Sequence, residues 1–188
     1  MEPEEVIGQA VEEGSREKWL SYLALTTVIL AVGATLSSFT ESQNSVDSVL
    51  NQTRAANQWS YFQAKSIKTY LYEMQRDKLQ MELQVKLDKL SPEIVAVYAK
   101  KIASYEKDIK RYSEEKKEIM KDAKDFEKQR DGNQRKAGIF GVSVIFLQVS
   151  ILLCSIAALM RRKSVWVVGS VIGVAGLIYF ANGFFFFI

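Results

Sequence analysis

The chain has 188 residues, of which 48% are hydrophobic and 25% charged, and its 25 basic and 22 acidic residues leave a net charge of +3. So small a charge, spread over intermixed acids and bases, does not favour nucleic acid as a partner. The chain has no His and a single Cys, Cys154, which excludes an intrachain disulfide and the commonest acid–base residue, so we expect no catalytic residue, metal, cofactor or enzymatic activity.

Three apolar runs frame a charged middle segment: Trp19 to Phe39, Ile139 to Met160 and Val165 to Ile188. Each run has about 20 residues without Asp, Glu, Lys or Arg, which is the length that a helix needs to cross roughly 30 Å of hydrocarbon. We therefore predict an all-α membrane protein with three transmembrane helices, at residues 19–39, 137–160 and 165–188. Membrane lipid is therefore an expected partner of the chain.

Residues 1–18, ahead of the first span, are rich in Glu and carry a few apolar residues at helical spacing. This pattern predicts either a short amphipathic helix at the membrane surface or a disordered tail. The acidic charge would be repelled by anionic lipid, and both alternatives stay open from the sequence.

The segment between the first and second spans, residues 40–136, predicts a long helical hairpin. No Pro or Gly occurs between Thr40 and Leu90, so we expect the first helix to continue far beyond the span. Apolar residues recur there every three or four positions, which predicts the packing stripe of the first arm. They are Ala64, Ile67, Leu71 and Met74, followed on a slightly shifted stripe by Leu79, Leu83, Leu87 and Leu90.

The second arm is predicted to begin at Ser91-Pro92-Glu93, where Ser can cap a helix and Pro and Glu suit its first turn. Because the turn at residues 90–92 is short, we expect the two arms to form an antiparallel coiled-coil hairpin. The seven-residue repeat typical of a coiled coil runs through Tyr98, Ile102, Tyr105, Ile109, Tyr112, Lys116, Ile119, Ala123 and Phe126.

Two short sequences flank the second span. Asp131-Gly132-Asn133 predicts an interruption of the helix, since Gly and Asn tolerate the left-handed conformation. Arg161-Arg162-Lys163 predicts a basic loop, residues 161–164, before the third span. Lys and Arg in short loops mark the cytoplasmic side, so we expect this loop and the N-terminus to be cytoplasmic and the hairpin to be extracytoplasmic.

Small residues form stripes on the spans, as they do where transmembrane helices approach closely. They are Gly169, Gly173, Gly176 and Gly183 in the third span, Ala24, Thr27, Ala31, Ala34 and Ser38 in the first, and Gly141, Gln148 and Ser155 in the second. Three interpretations fit these stripes: packing within one bundle, an interface between copies, or the lining of a narrow pore around Gln148.

Residues 57–68 combine aromatic side chains with amides and lysines, a composition typical of a contact surface. The candidate interaction surface is Trp59, Tyr61, Phe62, Gln63 and Lys65, together with the seam tyrosines Tyr98, Tyr105 and Tyr112. Packing against the second arm, recognition of another subunit or protein, and a small-molecule or lipid-headgroup site all fit this pattern.

The same segment, Asn57 to Lys68, resembles a family of small bacterial membrane proteins described only as a domain of unknown function, DUF4337. The resemblance extends to Glu17-Lys18-Trp19-Leu20, to Ser155-Ile156-Ala157-Ala158-Leu159 and to Arg161-Arg162-Lys163. It implies a three-span helical protein of the bacterial inner membrane, and it implies no activity or catalytic residue.

These patterns favour a non-enzymatic membrane scaffold or assembly protein, which forms homo-oligomers or binds a protein partner through its coiled-coil hairpin. The alternative is a homo-oligomeric channel in which the second span and Gln148 line the pathway. Such a channel would need several copies, since the three spans of one chain enclose no pore.

Overall fold

The computed structural model describes the backbone of residues 3–86 and 90–185 and the side chains of residues 18–86 and 90–185. Within these ranges the chain is all-helical and has three helices: α1 (Pro3–Lys86), α2 (Pro92–Met160) and α3 (Lys163–Phe185). Leu87 of the predicted first-arm stripe and residues 186–188 of the predicted third span lie outside the described residues.

Helix α1 runs without interruption for 84 residues, as the absence of Pro and Gly after Thr40 predicts. Its backbone is already helical at Pro3, so the acidic segment continues directly into the apolar run and is not a separate helix or a tail. Helix α2 begins at Pro92, where the Ser-Pro-Glu sequence predicts it. The carbonyl of Ser91 accepts a hydrogen bond from the N–H of Val95 at 3.1 Å, which closes the first turn.

The predicted interruption at Asp131-Gly132-Asn133 is wrong, because α2 continues through it as a regular helix. Gly132 does not adopt a positive φ angle. A single glycine inside a helix costs only about 1 kcal/mol. The backbone hydrogen bonds and the packing of α2 before and after Gly132 outweigh that cost.

The basic loop is shorter than the predicted 161–164 segment, because Lys163 already belongs to α3. Arg161 adopts the left-handed conformation, with a φ angle of 53°. The N–H of Arg162 donates to the carbonyl of Ala157 at 3.2 Å. This is the hydrogen bond of a Schellman cap, with Arg161 at the position that glycine usually takes. Helices α2 and α3 are therefore joined by only Arg161 and Arg162.

Each of the three helices contains a stretch that is long and apolar enough to cross a membrane. Of the most apolar 18-residue window in each helix, only 22%, 28% and 17% is buried, in chain order. Uncovered apolar surface on this scale is unusual for a protein surrounded by water and is the normal state of a surface in contact with hydrocarbon. Length, composition and exposure together indicate a membrane protein.

The chain divides into two compact units. The three-helix unit comprises Met1–Asp47 and Gly132–Ile188, and the paired-helix unit comprises Ser48–Asp131. The three apolar runs therefore belong to the first unit, and residues 48–131 of the predicted hairpin form the second.

The three-helix unit is organised around one stripe of α2. Leu30 and Ala34 of α1 pack against this stripe at one level, and Trp19 and Leu23 pack against it at another. Its buried positions alternate by three and four residues, the spacing of left-handed helix packing, at Phe140, Ser143, Leu147, Ser150, Cys154 and Ala157.

Glycines allow α3 to approach the other two helices closely. A Cβ atom added at Gly176 would lie 2.8 Å from Cγ of Leu147 and 3.1 Å from the backbone nitrogen of Leu147. A Cβ atom added at Gly173 would lie 2.6 Å from side-chain atoms of both Leu30 and Ser150. Gly169, Gly173 and Gly176 are all buried, so the structure places them inside the bundle of one chain.

Two buried serines of α2 hydrogen bond to this glycine face. Ser143 donates to the carbonyl of Gly176 at 2.8 Å, and Ser150 donates to the carbonyl of Gly169 at 2.6 Å. Hydrogen bonds between membrane helices contribute about 0.6 kcal/mol on average. The packing face of the second span thus differs from the predicted stripe of Gly141, Gln148 and Ser155, because Gln148 and Ser155 are both exposed.

Gly176→Ala should destabilise the three-helix unit by about 1–3 kcal/mol, because the added methyl group overlaps Leu147 and its backbone. Gly141→Ala is the matched control, since its added Cβ atom would meet only Cγ of Glu41, at an ordinary 3.8 Å. Thermal unfolding of both variants in one detergent, followed by circular dichroism, measures the difference. Equal unfolding midpoints would contradict the close approach at Gly176.

Candidate functional site

The two helical segments of the paired-helix unit run antiparallel, because low residue numbers of α1 contact high numbers of α2. The hydroxyl of Ser48 donates to the carbonyl of Arg130 at 3.4 Å. The indole N–H of Trp59 donates to Glu127 at 2.8 Å. The aromatic ring of Tyr72 stacks on that of Tyr112, with 5.6 Å between the ring centres.

On α2, the predicted seam faces α1. The nine residues of the repeat from Tyr98 to Phe126 are all buried or half-buried, and Ile119 and Ala123 are the most deeply buried of them. The residues between them are mostly charged and exposed. One stripe of α2 therefore supplies the contacts to α1 in this unit.

On α1, the first half of the predicted packing stripe points away from α2. Ile67 is 60% exposed and Met74 is 61% exposed, and Ala64 and Leu71 are exposed as well. The second half behaves differently, since Leu79 and Leu83 are half-buried. The shift between the two half-stripes thus marks a change from the outer to the inner face of α1.

The inner face of α1 is largely polar. Its positions alternate by three and four residues and are buried or half-buried, at Ser48, Asn51, Ala55, Gln58, Phe62, Lys65, Thr69, Tyr72, Arg76, Leu79 and Leu83. Polar groups can occupy such positions when the neighbouring helix supplies partners for them. Helix α2 does so through Glu115 and Glu127, which the sequence patterns did not single out because each lies one residue from the apolar seam.

Lys65 is the most connected residue of the predicted interaction surface. Its ammonium group forms an ion pair with Glu115 and lies 4.8 Å from the ring centre of Tyr112 and 5.3 Å from that of Tyr61. The hydrogen bond to Glu115 raises the pKa of Lys65 above its ordinary value. Its contribution to stability is therefore complete below the ordinary lysine pKa and is lost as the pH rises through the raised pKa.

The other predicted surface residues divide into two groups. Trp59 and Phe62 contact each other edge to face, with 5.7 Å between the ring centres, and both are half-buried. Tyr61 is 49% exposed and Gln63 is also exposed, so these two side chains lie outside the contact between the helices. The structure thus brings Trp59, Phe62 and Lys65 together inside the unit and leaves Tyr61 and Gln63 at its edge.

The three seam tyrosines take part in contacts between α1 and α2. Tyr105 and Tyr112 each lie 5.6 Å from the ring centre of Tyr72, a residue that the sequence patterns did not single out. The hydroxyl of Tyr98 donates to Glu82 at 3.3 Å. This hydrogen bond raises the pKa of Tyr98, because a tyrosinate would face the carboxylate.

Gln148 lies on the outside of the three-helix unit. It is exposed and makes no hydrogen bond with any described residue. It borders a shallow groove whose other lining residues come from α1: Ala34, Thr35, Ser38, Phe39 and Ser42. Gln148 and the polar residues Thr35, Ser38 and Ser42 therefore lie at a surface of the bundle, whereas Ala34 is buried in its core.

The described side chains offer surfaces for binding. No group of three His, Cys, Asp or Glu side chains in residues 18–86 and 90–185 is placed to hold a metal ion.

The cations beside the seam tyrosines are held in ring contacts, Lys101 over Tyr105 at 5.1 Å and Arg111 over Tyr112 at 4.8 Å. The arrangement can present apolar surface and hydrogen-bonding groups to another molecule.

The chain matches a protein-family model. A family model described as a domain of unknown function, DUF4337, matches residues 19–186. No curated protein and no solved structure matches the chain. The matched range includes the first two apolar runs, residues 165–186 of the third run and the whole paired-helix unit.

Reversing the charge of Lys65 or Glu115 alone should destabilise the paired-helix unit by up to about 1 kcal/mol, since the pair is partly exposed to solvent. The double variant Lys65→Glu/Glu115→Lys should recover part of that loss, because the ion pair is restored with opposite polarity. Thermal unfolding followed by circular dichroism measures all three variants. A double variant that is less stable than both single variants would contradict the pairing of these residues.

Proposed function

The chain belongs to the DUF4337 family, and we propose that it is a non-enzymatic membrane scaffold that forms homo-oligomers through a coiled-coil hairpin. The hairpin is the paired-helix unit, whose two antiparallel segments meet along positions that alternate by three and four residues. The three-helix unit supplies the anchor in the membrane. A protein with these two parts holds an assembly at a membrane without chemistry of its own.

The observation that carries this proposal is the outer stripe of α1. It consists of exposed apolar residues at positions of one seven-residue repeat, Ala64, Ile67, Leu71, Met74, Met81 and Val85. One more position of that repeat is Lys78, which is exposed as well. A stripe of this length and spacing fits a second helix, because side chains at alternating three and four residues insert between those of a helix with the same repeat.

We assign a second copy of this chain as the partner of the outer stripe. A two-fold interface brings the same stripe of both copies together, so it needs no other complementary surface. Two acidic residues beside the stripe are engaged within their own chain, since Asp77 pairs with Arg76 at 2.6 Å and Glu82 accepts from Tyr98. This weakens the like-charge repulsion that the two stripes would otherwise meet.

The proposed location is the inner membrane of a bacterium. The loop between α2 and α3 contains Arg161 and Arg162, and Lys163 follows at the start of α3. By the positive-inside rule this loop and the N-terminus are cytoplasmic, and the hairpin is extracytoplasmic. The family resemblance supports the same compartment.

Replacing the centre of the outer stripe with polar residues, Ile67→Gln/Leu71→Gln/Met74→Gln, should convert a discrete oligomer into monomers. The physical reason is that burying these side chains between copies releases apolar surface from water, by about 25 cal/mol for each Å². Native mass spectrometry of the full chain released from lipid nanodiscs measures the number of copies.

The control replaces three apolar residues of the same unit that are exposed outside the stripe, Val49→Gln, Ile94→Gln and Val97→Gln. These changes should leave the number of copies as in the unaltered chain. A wild-type chain that is monomeric in nanodiscs, or an oligomer that survives the stripe variant, would refute self-association through this surface.

A homo-oligomeric channel is the second candidate, and the exposure of Gln148 favours it. An amide in the apolar stretch of a span is costly to leave against hydrocarbon, so it is expected to face another subunit or water. The groove beside it carries the hydroxyl groups of Thr35, Ser38 and Ser42. Several copies arranged with this face inward would line a narrow polar pathway.

Gln148→Leu should abolish or strongly reduce ion flux through the reconstituted protein, because it removes the amide from the pathway. Flux is measured with an ion-sensitive dye in liposomes, with exposed Leu152→Val as a control that keeps the same span apolar. A wild-type chain that conducts no ion, or equal flux in the Gln148 variant, would refute this candidate.

A further inference from the structure

The exposed face of α1 follows one seven-residue repeat in both units of the chain. In the paired-helix unit this repeat is the outer stripe, from Ala64 to Val85. Counting back from Ala64 by alternating four and three residues leads to exposed apolar side chains of the three-helix unit as well. They are Tyr22, Leu25, Ile29, Val32, Leu36 and Phe39. Because α1 is one uninterrupted helix, the two apolar parts occupy the same positions of a single repeat.

The positions of the repeat between the two apolar parts are mainly polar. They are Gln43, Val46, Leu50, Thr53, Asn57 and Ser60, and all six are exposed. The amide of Asn57 makes no hydrogen bond with any described residue. An amide has both donors and an acceptor, so two identical amides can satisfy each other, whereas an apolar side chain opposite leaves an amide unsatisfied. The amides and hydroxyls therefore favour an arrangement in which each position meets the same position of another copy.

Lys78 is the charged position of the repeat, and its surroundings favour the same arrangement. It forms no ion pair with any described side chain. The preceding residue, Asp77, remains 56% exposed although it pairs with Arg76. In a parallel, in-register coiled coil, a side chain at this position of the repeat packs beside the same position and the preceding residue of the partner helix. Lys78 of each copy then meets Asp77 of the other copy, and the two charges are complementary.

The connection to the membrane favours the parallel direction. In every copy, Ser48 marks the end of the paired-helix unit from which α1 continues into the first apolar run. An antiparallel pair centred on the outer stripe would place the two Ser48 residues on opposite sides, on the order of 80 Å apart at 1.5 Å per residue. Both helices could then enter one membrane only if α1 were broken, and α1 is continuous.

We propose that α1 pairs in parallel and in register with α1 of a second copy, and that Asn57 selects this register. The inference rests on the proposed self-association and adds its direction and its specificity-determining residue. A slip by one repeat would place Asn57 opposite Leu50 or Ala64 and leave its amide unsatisfied. A single Asn at such a position fixes the register and the number of strands of a coiled coil at some cost in stability.

Disulfide formation between single cysteines tests the direction and the register. The variants are Leu50→Cys and Val85→Cys, each in a Cys154→Ala background, and the full chain is oxidised with copper phenanthroline in native membranes. Both variants should give a disulfide-linked dimer, because each position faces its own counterpart. A disulfide joins Cα atoms at most about 7 Å apart, whereas a slip by one repeat displaces them by roughly 10 Å.

The control is Lys107→Cys in the same background, which places the thiol on the exposed face of α2 and should give little or no dimer. A chain that forms a discrete oligomer by native mass spectrometry but does not link at both Leu50→Cys and Val85→Cys would overturn the parallel register and leave self-association in place. Antiparallel pairing gives this result, because two distant positions of one helix cannot both meet themselves. An unaltered chain that is monomeric would overturn self-association and this inference with it.

Asn57→Leu tests the role of the amide. This variant should give several oligomers by native mass spectrometry where the unaltered chain gives one, because other registers and strand numbers are no longer disfavoured. Combined with Leu50→Cys, it should reduce the yield of the disulfide several-fold. The matched control is Ala64→Leu, which adds the same side chain at the next equivalent position and keeps Asn57; it should retain one oligomer and the full yield. Equal disulfide yields with Asn57→Leu and Ala64→Leu would overturn the assignment of Asn57.

Discussion

A helix that packs against a single neighbouring helix buries only one stripe of its own surface. In the paired-helix unit, α1 has two stripes. In the paired-helix unit the inner stripe is largely polar and is covered by α2, whereas the outer stripe is apolar and stays exposed. Covering the outer stripe requires a third helix, and the described part of the chain provides none. The proposed function rests on this unequal division, because it leaves the more apolar surface for contact with another molecule.

The three-helix unit differs, since the close contacts of α3 involve glycines and serines and many of the large apolar residues of the unit are exposed. Glycines on α3 let the backbones approach, and Ser143 and Ser150 then reach the glycine carbonyls. Such packing suits a membrane, where apolar burial alone gives no driving force between helices. The exposed apolar residues are suited to contact with hydrocarbon.

Much of the fold follows from local rules. The length of α1, the start of α2 at Pro92 and the seam of α2 follow from breakers, caps and a repeat of apolar residues. The inner face of α1 does not, because Lys65 becomes a favourable inner residue only when Glu115 stands opposite it. A search for apolar residues at helical spacing finds the outer stripe of α1 and misses the largely polar inner face.

The other differences between the predicted and the observed structure have similar causes. Gly132 predicts a break in the helix. The contacts of the long helix before and after Gly132 outweigh the free-energy cost of a glycine in a helix. Gln148 and Ser143 are both polar residues of one apolar span, and Ser143 is the buried one because Gly176 of α3 and Ser37 of α1 supply hydrogen-bond partners for it. Partners across helices, which a single sequence does not display, determine these outcomes.

The most direct test of the account is cross-linking in native membranes through a cysteine at the centre of the outer stripe. The variant is Leu71→Cys in a Cys154→Ala background, with Lys107→Cys, on the charged face of α2, as its control. In the proposed two-fold interface the two copies of the stripe face each other, so a short bifunctional maleimide should give a dimer of the chain with Leu71→Cys and little or none with the control. A chain that stays monomeric, or that is captured only by other proteins, would contradict self-association through α1.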